Sequence, residues 1–85
     1  MPSIKELKSK AMALEPIINI GKSGLTDSVV KEVKIQLQKK KLIKIKFLKS
    51  IVREKGKKEL ARELAVRTGS SIIQQVGFVA VLYKK

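Results

Sequence analysis

Hydrophobic residues along the chain recur with two different periods, and the change of period divides the sequence into helices and strands. In three segments these residues lie three or four positions apart, which is the spacing of one face of a helix. We expect each of the three stripes to face the core. The stripes are Ile4, Leu7, Ala11 and Leu14; Val29, Val30, Val33 and Leu37; and Leu60, Ala61, Leu64, Ala65 and Thr68.

Short apolar or alternating runs between the helices predict four strands. A period of two indicates a strand with one buried and one exposed face, and a glycine between two such runs indicates a hairpin. The strands are predicted at Ile17 to Ile20, at the alternating run from Ile43 to Phe47, at Ser71 to Val76 and at Phe78 to Tyr83, with Gly77 at the last turn.

Capping residues mark where the predicted helices begin and end. Ser3 followed by Glu6 has the spacing of a capping box, and Pro16 ends the first helix because the residue before a proline avoids helical geometry. Thr26 is a suitable N-cap for the second helix. Gly69 is a suitable C-cap for the third helix.

The resulting order is α-β-α-β-α-β-β, which predicts an α/β fold in a single compact domain over residues 1–85. Two strand–helix–strand units with right-handed crossovers can place both of their helices on one face of a small sheet. The final hairpin adds an antiparallel pair, so we expect a mixed four-stranded sheet. The charged stretch from Lys49 to Lys58 has little apolar pattern and is predicted as a loop.

The charge of the chain indicates the kind of partner. Twenty Lys and Arg residues against seven Asp and Glu residues give a net charge of +13 over 85 residues. This excess favours a polyanion such as RNA, DNA or an acidic membrane surface, and a merely solvated lysine-rich surface is the alternative. The lack of cysteine fits a reducing cytosol, so we predict a cytoplasmic protein. The longest apolar runs are far shorter than the roughly 20 residues of a membrane span.

The turn after the first predicted strand has the sequence Gly21-Lys22-Ser23-Gly24 and leads into the second helix. Glycines allow a ligand to approach the backbone closely, and a helix N-terminus offers free N–H groups and a partial positive charge to a phosphate. Lys22 can reach a phosphate, Ser23 can donate a hydrogen bond, and Leu25 can anchor the turn to the core. Turns that bind no ligand also contain such glycines, so the motif alone leaves both interpretations open.

The Gly-Lys-Ser triplet does not complete a nucleotide-binding P-loop, because Pro16 occupies the position of the first glycine of that motif. The chain has no His and no Cys, so the usual general bases and nucleophiles are missing. Glu59 and Glu63 lie one helical turn apart, a spacing that more often supports a helix surface than catalysis. We therefore predict no enzyme activity, no metal site and no cofactor.

Basic residues extend the predicted binding surface beyond the turn. Lys44 and Lys46 share the strand face opposite the apolar residues, which we expect to be the open face of the sheet. With two Phe, one Tyr and no Trp, and with Phe47 and Phe78 predicted in the core, only Tyr83 is left for base stacking. Recognition by backbone and shape then favours structured RNA. The predicted RNA-binding residues are Gly21, Lys22, Ser23, Gly24, Thr26, Lys44, Lys46, Lys49, Arg53 and Lys58.

The chain resembles the YhbY-like family of CRM domains (chloroplast RNA splicing and ribosome maturation), and the resemblance covers nearly all 85 residues. The segments that carry it are Leu14-Glu15-Pro16, Gly21 to Thr26, Leu42 to Lys46, Arg67-Thr68-Gly69, Gln75-Val76-Gly77 and Val81 to Lys84.

The resemblance implies a fold similar to the C-terminal domain of translation initiation factor three, with the Gly-x-x-Gly turn against the RNA backbone as in KH domains. Stand-alone members are similar to factors that associate with the precursor of the large ribosomal subunit, whereas plant members carry several such domains and act in group II intron splicing. A single predicted domain favours the ribosome-associated kind. The chain departs from bacterial relatives after Tyr83, where they have Arg and a basic tail, and in a first helix that lacks their His.

The leading hypothesis is a monomeric RNA-binding protein that docks on structured ribosomal RNA and assists assembly of the large subunit. The alternative is a general nucleic-acid-binding protein, either an RNA chaperone or a DNA-compacting protein, without ribosomal specificity. A third hypothesis is an adaptor that meets an acidic protein partner. Equal affinity for duplex DNA and structured RNA at matched salt would favour the second hypothesis.

Overall fold

The computed structural model describes residues 3–21, 24–48 and 56–84. Within these ranges the chain forms three helices and four strands, in the order predicted from the sequence. The helices are α1 (Ile4–Met12), α2 (Asp27–Lys40) and α3 (Lys57–Thr68), and the strands are β1 (Ile18–Ile20), β2 (Leu42–Phe47), β3 (Ser71–Val76) and β4 (Val79–Tyr83).

The four strands form one mixed sheet in the order β1-β2-β4-β3. Ile20 lies opposite Phe47 in the parallel pair of β1 and β2, whereas β4 runs antiparallel to both β2 and β3. The C-terminal ends of β1 and β2 therefore lie at the same end of the sheet. The β3–β4 turn lies there too, because Lys46 pairs with Val79 and the Phe47 N–H donates to the Phe78 carbonyl at 2.7 Å. We call this end the turn end of the sheet.

The main core lies between one face of the sheet and the helices α2 and α3. The stripes predicted for these two helices are buried, except that Val29 is only half-buried. Each fully buried Leu, Ile or Val side chain contributes about 1.5–3 kcal/mol by leaving water. The strands supply Ile20, Ile43, Ile45, Phe47, Ala80 and Leu82 to this core.

The helix α1 packs across β2 and β3, on the face of the sheet opposite the main core. Its residues Leu7 and Ala11 are buried, as is Val81 of β4, and none of the three belongs to the main core. The stripe predicted for this helix is thus only half correct. Ile4 is 62% exposed, and Leu14 lies beyond the helix, which ends at Met12 before the chain reaches Pro16.

The third helix begins earlier than the sequence predicts. Lys57 and Lys58 lie in the first turn of α3 and not in a loop, because lysine is a good helix former even where no apolar stripe marks the helix. Of the rest of the predicted loop, Gly56 is the N-cap of α3 and residues 49–55 lie outside the described residues.

The strands β1 and β4 each begin one residue later than predicted, at Ile18 and Val79. Phe78 belongs to the turn and is half-buried, so its predicted place in the main core is wrong. The reason is a two-residue hairpin turn, whose first residue Gly77 has a φ of 58° that favours glycine.

Candidate nucleic-acid interface

The turn between β1 and α2 is closed by a backbone hydrogen bond, in which the Gly24 N–H donates to the Gly21 carbonyl at 2.9 Å. Gly24 has a φ of 75°, a conformation that costs a residue with a Cβ about 1–2 kcal/mol. At Gly21 the restriction is space, since a Cβ there would lie 3.1 Å from Leu48 Cδ1. Lys22 and Ser23 lie between the two glycines and outside the described residues.

The start of α2 follows this turn directly and is capped as the sequence predicts. Thr26 is the N-cap, and its Oγ1 accepts a hydrogen bond from the Val29 N–H at 3.2 Å. Asp27 places an acidic group in the first turn, where the helix dipole favours it. Leu25 packs against the main core, as predicted.

Three cations that were absent from the predicted site lie beside the start of α2. Lys31, Lys34 and Arg67 line an open cleft of about 380 Å³ together with Asp27 and Val30. The spacing of Lys31 and Lys34 places them on one face of α2 and is visible in the sequence. The approach of Arg67 from α3 is not, because it depends on how the two helices pack.

Two of the predicted residues lie at the turn end of the sheet. Lys46 is exposed at the end of β2, and Lys58 is exposed in the first turn of α3. Lys58 lines an open depression of about 370 Å³ together with Gly56 and with Gly77 of the β3–β4 turn. The structure therefore places both lysines at the same end of the fold as the Gly21–Gly24 turn.

Lys44 has a different environment from Lys46, although both side chains leave the same face of β2. It is half-buried, and its Nζ donates to the Leu14 carbonyl at 3.0 Å just beyond α1. The prediction that both lysines stand on an open face is therefore wrong for Lys44, because α1 packs on that face. The remaining predicted residues, Lys49 and Arg53, lie outside the described residues.

The aromatic residues offer little surface to unpaired bases. Phe47 is buried, while Phe78 and Tyr83 are half-buried. In the described ranges, no group of three or more His, Cys, Asp and Glu residues is placed to hold a metal ion. None of the helices in the described part of the chain has the length and apolar character needed to cross a bilayer.

The sequence profile of the CRS1 / YhbY (CRM) domain matches residues 2–84. The chain belongs to the CRS1/YhbY (CRM) domain family. Both the family resemblance drawn from the sequence motifs and the predicted α/β fold with a mixed four-stranded sheet are therefore confirmed.

Relatives of this CRM domain occur in bacteria and archaea. Probable RNA-binding protein YqeI of Bacillus subtilis is 35% identical over 79 residues, which span 93% of this chain and 80% of that protein. Probable RNA-binding protein MJ0652 of Methanocaldococcus jannaschii is 37% identical over 78 residues, spanning 92% of this chain and 58% of that protein. The solution structure of hypothetical protein SAV1595 from Staphylococcus aureus matches with a TM-score of 0.78 and 33% identity, over 100% of this chain and 90% of that one.

Proposed function

We propose that this CRM domain is an RNA-binding protein that docks on structured ribosomal RNA and assists assembly of the large ribosomal subunit. The observation that carries the proposal is the closed Gly21–Gly24 turn directly before the capped start of α2, in a chain of net charge +13. The relatives YqeI and MJ0652, which are named as probable RNA-binding proteins, support the choice of RNA over other polyanions.

In this proposal the turn binds the RNA backbone. The missing side chains of Gly21 and Gly24 let a phosphate approach the main chain, and the N–H groups and dipole at the start of α2 attract its charge. The Lys22 ammonium pairs with the phosphate, and the Ser23 hydroxyl donates a hydrogen bond to it. Each phosphate neutralised by a cation also releases counterions, which makes the affinity fall as salt rises.

Further basic residues widen this contact to neighbouring phosphates. Lys46 and Lys58 are exposed at the turn end of the sheet, and Lys49 and Arg53 belong to the segment that joins β2 to α3. Lys44 contributes less, because its ammonium already donates to the Leu14 carbonyl. Since no aromatic ring of the described residues is fully exposed, the proposed recognition uses backbone and shape and favours structured RNA.

A double substitution in the turn tests this proposal. Lys22→Ala combined with Ser23→Ala should weaken binding to a fluorescently labelled stem–loop RNA about tenfold, because a charge-assisted phosphate contact is lost. The slope of log Kobs against log salt, which is negative, should become shallower by about 0.7–0.9, the value for one phosphate contact. Fluorescence anisotropy over a series of salt concentrations measures both quantities.

The chain offers a matched control in Lys8 and Ser9, an adjacent Lys-Ser pair exposed on α1. Lys8→Ala combined with Ser9→Ala changes the net charge equally but removes no group of the proposed phosphate contact, so it should leave the affinity within about twofold of the original protein. An equal loss in both double variants would contradict the role of the turn. It would favour binding by charge alone, as in a general RNA chaperone or DNA-compacting protein.

The ribosomal part of the proposal needs an experiment on the natural RNA. Crosslinking in cells of the protein's own source, followed by sequencing of the RNA that co-purifies, should give reads concentrated on a few segments of large-subunit ribosomal RNA or its precursor. Reads spread evenly over all cellular RNA would reject ribosomal specificity and leave only phosphate binding.

A further inference from the structure

Arg67, in the last turn of α3, reaches across to the segment that joins the Gly21–Gly24 turn to α2. Its Nη1 donates to the Leu25 carbonyl at 2.7 Å, and its Nη2 donates to Asp27 Oδ1 at 3.1 Å. The two acceptors flank the N-cap residue Thr26 on either side. One guanidinium group therefore bridges the chain just before and just after the point where α2 begins.

We propose that Arg67 is a positioning residue, which holds the Gly21–Gly24 turn and the start of α2 in the shape that binds RNA. This inference rests on the proposed function of the turn. The role is indirect, because both terminal nitrogens of the guanidinium group donate to acceptors of the protein and so direct the group towards the start of α2.

The bond to Leu25 fixes the orientation of a peptide group at the helix start. In a planar trans peptide the carbonyl and the following N–H point in opposite directions. Because the Leu25 carbonyl faces Arg67, the Thr26 N–H points away from Arg67. On the other side of this peptide the turn is closed by the bond from the Gly24 N–H to the Gly21 carbonyl. The short link between turn and helix is thus held at both ends.

The bond to Asp27 has an electrostatic consequence. The Asp27 side chain is fully exposed at the start of α2, where its negative charge would repel an approaching phosphate. Arg67 is about one third exposed and places a positive charge directly against this carboxylate. The pair offsets part of this repulsion, so the N–H groups and the dipole at the start of α2 can attract a phosphate.

A lysine cannot replace the arginine in this role. The guanidinium is planar and carries donors in a fixed fork, so it can serve a carbonyl and a carboxylate at once, whereas an ammonium on a shorter, flexible stem behaves as a point charge. The conservative variant Arg67→Lys therefore separates positioning from charge. Arg62 lies exposed on the same helix, so Arg62→Lys is the matched control.

Two measurements on Arg67→Lys test the inference. Amide hydrogen exchange in the free protein should become faster at Gly24, Val29 and Val30, whose N–H groups donate to the Gly21 carbonyl and to the oxygens of Thr26. Exchange at Val33 and Leu64 should stay unchanged. Affinity for the same stem–loop RNA should fall about tenfold, on the scale of one lost charge-assisted contact, with the salt slope unchanged because the net charge is the same. Arg62→Lys should change neither measurement.

The outcomes separate this inference from the proposed function. If Arg67→Lys leaves amide exchange at the turn and the start of α2 unchanged, or binds RNA as well as the original protein, the positioning role of Arg67 is overturned. This holds even where the Lys22 and Ser23 double variant binds weakly. If that double variant binds as well as its control, the proposed role of the turn fails, and with it the reason to position the turn.

Discussion

The helices α2 and α3 lie over the same face of the sheet, yet each has one end with a well-suited cap and one end that lacks a side-chain cap or carries a strained residue. α2 begins with Thr26 as a hydrogen-bonded N-cap but ends at Lys41, which has a φ of 65°. α3 ends at Gly69, whose left-handed conformation suits glycine, but begins at Gly56 without a side-chain cap hydrogen bond.

The two unfavourable ends have lysine in common. Lys41 occupies a positive φ where glycine would be unstrained, and Lys57 and Lys58 begin α3 where the helix dipole favours acidic residues. Glu59 offsets part of this unfavourable charge. Local preference therefore determines the ends with Thr26 and Gly69. At Lys41 the backbone conformation is unfavourable, whereas at Lys57 and Lys58 the charge is. The proposed binding of RNA would account for such a trade-off between stability and function.

The largest expected effect is at the C-terminal ends of the two helices. Gly69→Ala should lower the free energy of unfolding by about 1–2 kcal/mol, because alanine is strained in the left-handed conformation. The new Cβ would lie 3.7 Å from Lys84 Nζ, an ordinary contact, so the cost comes from the backbone. Lys41→Gly should instead raise stability by about 0.5–1 kcal/mol, as relief of strain exceeds the added entropy of the unfolded chain.

Urea unfolding followed by circular dichroism measures both changes without altering the ionic strength. If the two substitutions shift the midpoint in the same direction, the difference drawn between the two helix ends is wrong.

A smaller effect is expected at the start of α2. Thr26→Val keeps the shape of the side chain but removes the hydroxyl that accepts from the Val29 N–H. Loss of this cap should lower stability by about 1 kcal/mol. Ser9→Ala, at an exposed position within α1, serves as the control in the same urea experiment and should not be destabilising. Full stability of the Thr26 variant would mean that the cap does not hold α2.

The smallest effect is expected at the start of α3. Gly56 has a φ of −63° and a ψ of 152°, and a Cβ there would meet no atom within 4 Å. Gly56→Ser should therefore raise stability by about 0.5 kcal/mol, through a new N-cap and a less flexible unfolded chain. Thermal unfolding detects such a change as a higher Tm. A lower Tm would contradict the view that the start of α3 lacks a cap.

The sequence was sufficient to predict features that depend on neighbouring residues. The stripes of α2 and α3 and the alternation of β2 follow from burial every 3.6 or every two residues, and both agree with the structure. The cap at Thr26, which also agrees, follows from a side-chain oxygen next to the first turn of the helix. The motif Gly21-Lys22-Ser23-Gly24 likewise marked the turn before α2.

Features that depend on tertiary packing were missed. Arg67 and Leu25 lie 42 residues apart in the sequence, and no local pattern indicates that they meet. The burial of Lys44 depends on α1 packing against the second face of the sheet. The apolar stripe of α1 predicts a helix but does not indicate which face of the sheet it covers. The helical start at Lys57 was missed because two lysines carry no hydrophobic period.

The strand order determines when this domain can fold during synthesis. Among the described elements β4 is the last to be made, yet it lies between β2 and β3 in the sheet. A nascent chain that has reached Gly77 already contains the segments of all three helices, but β3 has no strand to pair with and the core lacks Ala80 and Leu82. The protein can therefore acquire its native sheet, and the turn end built on it, only after residues 79–83 have left the exit tunnel of the ribosome that makes it.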